Sequence, residues 1–428
     1  MVRIDKTSSI KMMYLALNIR YLITNPYNSK MYKNLKFPII AALILATSIS
    51  LSATNYKEIK WLKTGVDRSE EQLLAASANY KAIKKNPRTF DKGKVIFASP
   101  NDWTSGFFPG SLWYIFEITK NFQFKKEAEY YTELLESAKY RKNTHDVGFI
   151  LNCSYGNGYR LTGNKGYESV MITGANSLMT RFHPNVGLIK SWDKRKDWQY
   201  PVIIDNMLNL ELLCEVSKLT NDDSYKQATV SHANKTMSNH FRADNSCFHV
   251  VNYDSISGKV LSKETHQGFS NSSSWARGQG WALYGYTMMY RETKDPKYLD
   301  QAQKVASFIL NHPNLPKDKV PYWDFDAPNI PNEPRDASAA AIYASALIEL
   351  SGYVKNGNEY FEVAEQILIS LSSPEYLAAK GENSLFILKH STGNWPGKSE
   401  IDVPINYADY YYLEALGRYM KVKGISVI

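Results

Sequence analysis

Two aspartates stand at the first turns of segments whose apolar spacing is that of buried helices: Asp146 in "HDVGF" (145–149) and Asp205 in "IIDNMLN" (203–209). A carboxylate in that position ordinarily caps the helix and answers the positive end of its dipole. Two such carboxylates brought to one substrate bond have a different use, in which one is held protonated to donate and the other stays ionised. A helix N-terminus lowers a carboxylate pKa while a donor needs it raised, so the pair works only if burial and mutual repulsion lift one of them. Aromatic residues make up 13% of the chain, with 30 Tyr and 9 Trp, and Trp103, Trp275, Trp281, Trp323 and Trp395 lie beside glycine or charge. Flat rings plus carboxylates in one concavity suit a sugar, whose C–H faces stack while its hydroxyls need acceptors.

The elements that must carry these residues repeat. Period-3.6 apolar spacing predicts helices at about 69–84, 106–120, 124–140, 147–163, 165–178, 203–219, 222–240, 276–293, 295–312, 336–354, 357–372 and 404–422. Alternate members begin with a turn and then a tyrosine: "GNKGYESV" (163–170), "NDDSYKQA" (221–228), "TKDPKYLDQA" (293–302) and "NGNEYFEVA" (356–364). The other members, opened by "HDVGF", "IIDNMLN", "WARGQGW" (275–281), "PRDASAA" (334–340) and "INYADYYYL" (405–413), are apolar along their length but polar at one end. Helices buried all round whose starts converge on one mouth explain both features. The expected fold is therefore all-α, an (α/α)6 barrel of alternating inner and outer helices. The helix-poor stretches 241–274, 313–335 and 375–403 become long loops at that mouth, and "CFHVVNYDSISGKVLS" (247–262) alternates as a β-hairpin does.

Composition narrows the partners. The net charge of +9 owes much to the first 53 residues, which hold seven of the 51 basic residues and one of the 42 acids, leaving 44 and 41 for the rest. A nucleic-acid footprint therefore has little support. Within that leader, "MYKNLKFPIIAALILATSISLSA" (31–53) has the order of a secretory signal peptide, with Met31 the expected true start. Its apolar part is short for a membrane span. The chain thus divides into an extension and signal over 1–53 and one barrel domain over 54–428, with no membrane association after the signal is removed. Three widely spaced cysteines, Cys153, Cys214 and Cys247, make no disulfide framework, although a single bridge stays open. No HExxH, clustered His/Cys or GxSxG pattern supports a metal, another cofactor or a serine nucleophile.

Taken together, "DWTSGFFPGSLW", "HDVGF", "IIDNMLNLELL", "HQGFSNSSSWARGQGWALYGY", "PRDASAAAIYASALIEL" and "INYADYYYLEAL" closely resemble the unsaturated glucuronyl hydrolases, glycoside hydrolase family 88, in register from about residue 60 to 422. The resemblance implies the same barrel and an unusual reaction, hydration of the C4=C5 double bond of a Δ4,5-unsaturated uronic acid at the non-reducing end of a lyase-made oligosaccharide. It implies Asp205 as general acid/base and Asp146 as its essential partner. Ring-stacking positions fall on Trp103 and Trp281, and polar subsite contacts on His249, Gln267 and Arg277. Charge alone also makes Arg277 a natural partner for a uronate carboxylate, the alternative being a structural ion pair with an acid such as Asp409. Relatives that take sulfated disaccharides recognise sulfate through a late Ser- and Lys-containing loop, and the corresponding stretch here, "KHSTGNWPGKSE" (389–400), offers Ser391, Thr392 and Lys398. Expected substrates are unsaturated disaccharides of chondroitin, hyaluronan or heparin type, met in the periplasm. The alternatives are an unsaturated rhamnogalacturonyl hydrolase acting on pectin fragments and a non-catalytic sugar-binding protein. Oligomeric state stays open.

Overall fold

The computed structural model describes residues 55–193 and 195–425. The leader read as a signal peptide lies outside them. Twelve helical segments follow one another: α1 (Lys60–Tyr80), α2 (Phe107–Thr119), α3 (Phe122–Glu133), α4 (147–162), α5 (Lys165–Met179), α6 (Asn206–Thr220), α7 (Asp223–His240), α8 (Ala276–Thr293), α9 (Pro296–Asn311), α10 (Ala337–Ser351), α11 (Gly357–Leu371) and α12 (Asn406–Lys423). Segment α4 is two α-helical pieces, Val147–Leu151 and Asn157–Thr162, joined by a π turn at Asn152–Gly156. The even-numbered helices pack side by side into an inner ring that closes where α12 meets α2, and the odd-numbered ones lie outside it. Burial separates the two classes: α8 buries fourteen of its eighteen residues, whereas the neighbouring outer helix α9 buries six of sixteen. An inner helix has ring neighbours on two sides and an outer helix behind it, so it needs small and apolar residues on every face.

The tyrosine near the start of α5, α7 and α9 has a physical reason. Tyr225 of α7 donates its hydroxyl to Asn176 Oδ1 of α5 (2.6 Å), Tyr298 of α9 donates to Asn234 Oδ1 of α7 (2.9 Å), and Tyr167 of α5 reaches Glu133 Oε1 of α3 (3.4 Å). Each ring also sinks into the core, so one side chain ties consecutive hairpins together at both ends of its length. Side-chain caps also mark outer helices: Asn121, Asn164, Asp222 and Asp295 each accept a hydrogen bond from the backbone N–H two residues on.

Long connections gather at the N-terminal ends of the inner helices. They carry the hairpin β1 (Asn86–Asp91) with β2 (Lys94–Ala98), the short pair β3 (Phe182–His183) with β4 (Leu188–Ile189), and a three-stranded antiparallel sheet. In that sheet β6 (Val250–Tyr253) pairs with both β7 (Val260–Glu264) and β5 (Tyr200–Ile203). The hairpin expected at 247–262 is thus β6–β7, and β5, which leads directly into Asp205, is the strand that the sequence pattern merged into the following helix. All three cysteines are buried free thiols. Among the described residues no helix is long and apolar enough to cross a membrane.

Candidate active site

At the mouth lies a cavity of about 580 Å³, lined by Trp103, Asp146, Asp205, Gln267 and Tyr407 among others. Asp205 sits at the N-cap of α6, Asp146 at the N-cap of α4, and neither side chain caps its helix. Asp336, by contrast, caps α10 through Ser338 N (3.1 Å). The two cavity aspartates therefore keep their oxygens for other uses.

Their environments push them apart. Asp205 is 7% exposed and its Oδ2 has no hydrogen-bond partner among the described residues. Burial lifts its pKa to about 6, against the pull of His145 and Arg277, with the negative charge of Asp146 adding to the rise. For Asp146, burial also works upward, but His145, a hydrogen bond from Thr144 and the Arg141 guanidinium outweigh it and bring the carboxyl below the usual aspartate value. Thr144 Oγ1 donates to Asp146 Oδ2 (2.5 Å) and His145 Nε2 stands 3.1 Å from Oδ1. One carboxyl is thus available as an acid near neutrality while the other is an anion, the division that acid–base catalysis requires.

His249 lies directly behind Asp205. Its Nδ1 accepts from His266 N (3.2 Å) and Gln267 N (3.1 Å), so the ring hydrogen is on Nε2, 3.6 Å from Asp205 Oδ2. Burial followed by His266 and Arg277 holds His249 well below the usual imidazole pKa, leaving it a neutral donor. Trp103 lines the cavity with its ring backed by Tyr407 (centroids 5.0 Å apart), Phe149 (5.7 Å) and Phe107 (5.8 Å), a fixed aromatic wall. Gln267 spans to the opposite loop by donating Nε2 to Gly393 O (2.8 Å). Two carboxyls of divergent pKa and an aromatic wall thus line one open volume.

The model of Glycosyl Hydrolase Family 88 matches residues 79–421. An unsaturated glucuronyl hydrolase of Formosa agariphila is 54% identical over 355 residues, 82% of this chain and 88% of that protein. Among solved structures, one of an unsaturated glucuronyl hydrolase specific for heparin superposes with a TM-score of 0.84 at 52% identity, covering 86% of this chain and 99% of that one. That of the glycosaminoglycan-degrading unsaturated glucuronyl hydrolase from Bacillus sp. GL1 gives 0.78 at 27%, covering 84% and 96%.

The chain belongs to glycoside hydrolase family 88. Its fold is the (α/α)6 barrel of these structures, and it is a glycoside hydrolase. In this family 88 enzyme the other residues singled out from the sequence take up different places. Arg277 is fully buried at the head of α8, where Nη1 donates to Asp336 Oδ2 (2.6 Å) and Thr392 O (2.6 Å) and Nη2 to Gly393 O (2.6 Å). Its ion-pair partner is Asp336; Asp409 instead accepts Ile387 N and Leu388 N. Trp281 is fully buried between Phe149 and Tyr411 in the ring of inner helices and is not part of the cavity wall. Trp323 and Trp395 stack on each other (5.2 Å). Ser391 is buried in the ladder with Val403, and Lys398 is exposed on the turn between Asn394 and Ser399; it is Gly393, Asn394, Ser399 and Glu400 of that loop that face the cavity.

Several cavity residues carry no sequence signal. Arg88 closes one side by a bidentate pair with Glu400 (2.6 and 2.8 Å) and a bond to Asp102 (2.8 Å), joining β1 to the 389–400 loop. Arg141 and Arg195 also reach the wall, the latter over Trp192 (4.4 Å). Each comes from a connection with no helical period to place it.

Proposed function

We propose that this family 88 hydrolase releases a Δ4,5-unsaturated uronic acid from the non-reducing end of lyase-made glycosaminoglycan disaccharides, with those of heparin type foremost. Similarity to the heparin-specific enzyme at 52% identity favours that choice. The observation that supports the mechanism is the buried Asp205, whose Oδ2 has no hydrogen-bond partner among the described residues and whose pKa is raised to about 6, on the same cavity wall as Asp146, whose carboxyl is held below the usual value. Asp205 donates its proton to C4 of the vinyl ether, the positive charge develops at C5 and the ring oxygen, and water adds at C5 while returning a proton to Asp205. The resulting hemiketal opens and the neighbouring sugar leaves. Asp146 holds a substrate hydroxyl and, by its charge, favours the protonated form of Asp205. Trp103 supplies a face for the sugar ring. Residues 1–53 serve as export signal, and the enzyme acts in the periplasm on products of a secreted lyase.

The test is the ultraviolet absorbance of the conjugated uronate, followed on lyase products of heparin, chondroitin, hyaluronan and pectin, sulfated and unsulfated. Loss of absorbance fastest on heparin products is the expected result. Consumption of pectin products alone would overturn it. In Asp205→Asn, turnover falls by about 10³-fold or more while substrate still binds, because the amide accepts hydrogen bonds but cannot relay a proton; near-native turnover in that variant would remove Asp205 from its role.

A further inference from the structure

One buried polar chain beneath the cavity is unaccounted for by the reaction as drawn. Ile203 N, two residues before Asp205 on β5, donates to Ser191 Oγ (3.0 Å), and Ser191 Oγ lies 3.3 Å from His145 Nδ1. Both side chains are fully buried. The backbone N–H occupies one lone pair of the serine, leaving its hydroxyl hydrogen and its second lone pair for Nδ1, and the other ring nitrogen is Nε2. That nitrogen faces Asp146 Oδ1 at 3.1 Å, obliquely to the line of an ideal hydrogen bond. The segment is locked at its own ends too, since His145 N donates to Ser191 O (3.3 Å) and Ser191 N to Pro201 O (2.9 Å).

We propose that His145 and Ser191 are positioning residues for the hydration: Ser191, hydrogen-bonded to the β5 backbone, seats the His145 ring against the Asp146 carboxylate opposite Asp205. The proposal rests on the reading of Asp146 and Asp205 as the acid–base pair. Strand β5 both delivers Asp205 and fixes the orienter of its partner, so the two carboxyls are registered through one piece of backbone. The other charged groups around Asp146 are Arg141 on the same connection, with Asp102 and Arg181 beyond it, and Asp205 at the head of α6. Among the described residues none of these hydrogen-bonds Asp146; only Thr144 does so directly. His145 is therefore the group whose loss changes Asp146 without emptying the cavity wall.

The experiment follows the carboxyl carbon of Asp146 by 13C NMR in the full chain across pH, assigned by its disappearance in Asp146→Asn, together with the pH profile of kcat. In His145→Ala the Asp146 titration moves up by about one pH unit, and the acidic limb of kcat moves up with it. His145→Gln, whose amide nitrogen replaces Nε2, returns both toward the native values. Ser191→Ala, which keeps the imidazole but removes the hydroxyl beside Nδ1, shifts them in the direction of His145→Ala and decides the matter should that variant not fold. An Asp146 titration unmoved in these variants, or a kcat lowered equally at every pH with its limbs in place, overturns the proposal. Because the titration needs no turnover, a wild-type enzyme inactive on every disaccharide would sink the functional reading while leaving this one to its own result.

Discussion

At the scale of single residues, Arg277 is where expectation and geometry part. A guanidinium in a sugar site invites a uronate carboxylate, yet here three of its hydrogen bonds go to Asp336, Thr392 O and Gly393 O, and its face lies over Trp275 (4.6 Å). It anchors the 389–400 loop to the heads of α8 and α10. Arg277→Met therefore leaves a fully buried Asp336 without its cation and lowers stability by about 3–5 kcal/mol, read by denaturant unfolding. A variant of native stability whose KM alone rises would place the side chain on the substrate instead. Sequence made Asp146 and Asp205 legible because a carboxylate at the start of an otherwise apolar helix is an anomaly that asks for a reason. No such anomaly marks Ser191 or Arg88, whose partners stand 46 and 312 residues away. Which partner a long cation chooses is a tertiary matter, so the charge of Arg277 was readable and its target was not.

Elements were more legible than residues, and their misses have local causes. The helix expected at 69–84 begins at Lys60, because in its first two turns the buried Leu62, Gly65 and Val66 are interleaved with Lys60, Lys63, Thr64 and Asp67, which dilute the apolar period. The one expected at 124–140 ends at Glu133 and continues as a separate 3-10 turn, Glu136–Tyr140. What sets the distance between the two aspartates is the crossing of α4 and α6. Phe149 N donates to Asn209 Oδ1 (2.7 Å), and a methyl group on Gly148 would sit 2.5 Å from Asn209 Cα and from its carbonyl oxygen. The bare glycine lets the two helix heads touch backbone to backbone, and the asparagine in "DNMLN" is explained by the bond it makes there. Gly148→Ala pushes the helices apart, costing about 1–3 kcal/mol of stability and, through misplacement of Asp146 against Asp205, about 10²-fold in kcat. Unfolding curves and steady-state kinetics on the same variant check both, and native kcat would mean that the pair tolerates the wider spacing.

Over the whole molecule, titrating groups buried by the barrel pull its stability in opposite directions. His232 and His249 are held well below 6.5 and His240 is brought down to about 3, in each case by burial first. A depressed histidine binds a proton in the unfolded chain but not in the fold, so its stabilisation is present above pH 6.5 and is lost as pH falls from there toward the folded value. Burial raises Asp205 and Asp324 to about 6 and Asp409 to about 7. These carboxyls work the other way, adding stability as pH falls through 6–7 until the unfolded chain also protonates near 3.8. Between about pH 4 and 6.5 three histidines and three carboxyls offset one another; below about pH 4 the carboxyls no longer differ, while His240 and the lowered Asp146 still oppose folding. Denaturant midpoints should therefore change little from pH 7 to about 5 and fall steeply below about 4. His240→Phe, which replaces a buried imidazole whose two nitrogens have no partner among the described residues and which lies over Tyr253 (6.4 Å), removes one proton from that uptake and makes the acid fall shallower. Equal steepness in the variant and the parent would show that His240 exchanges its proton in the folded state as freely as in the unfolded chain.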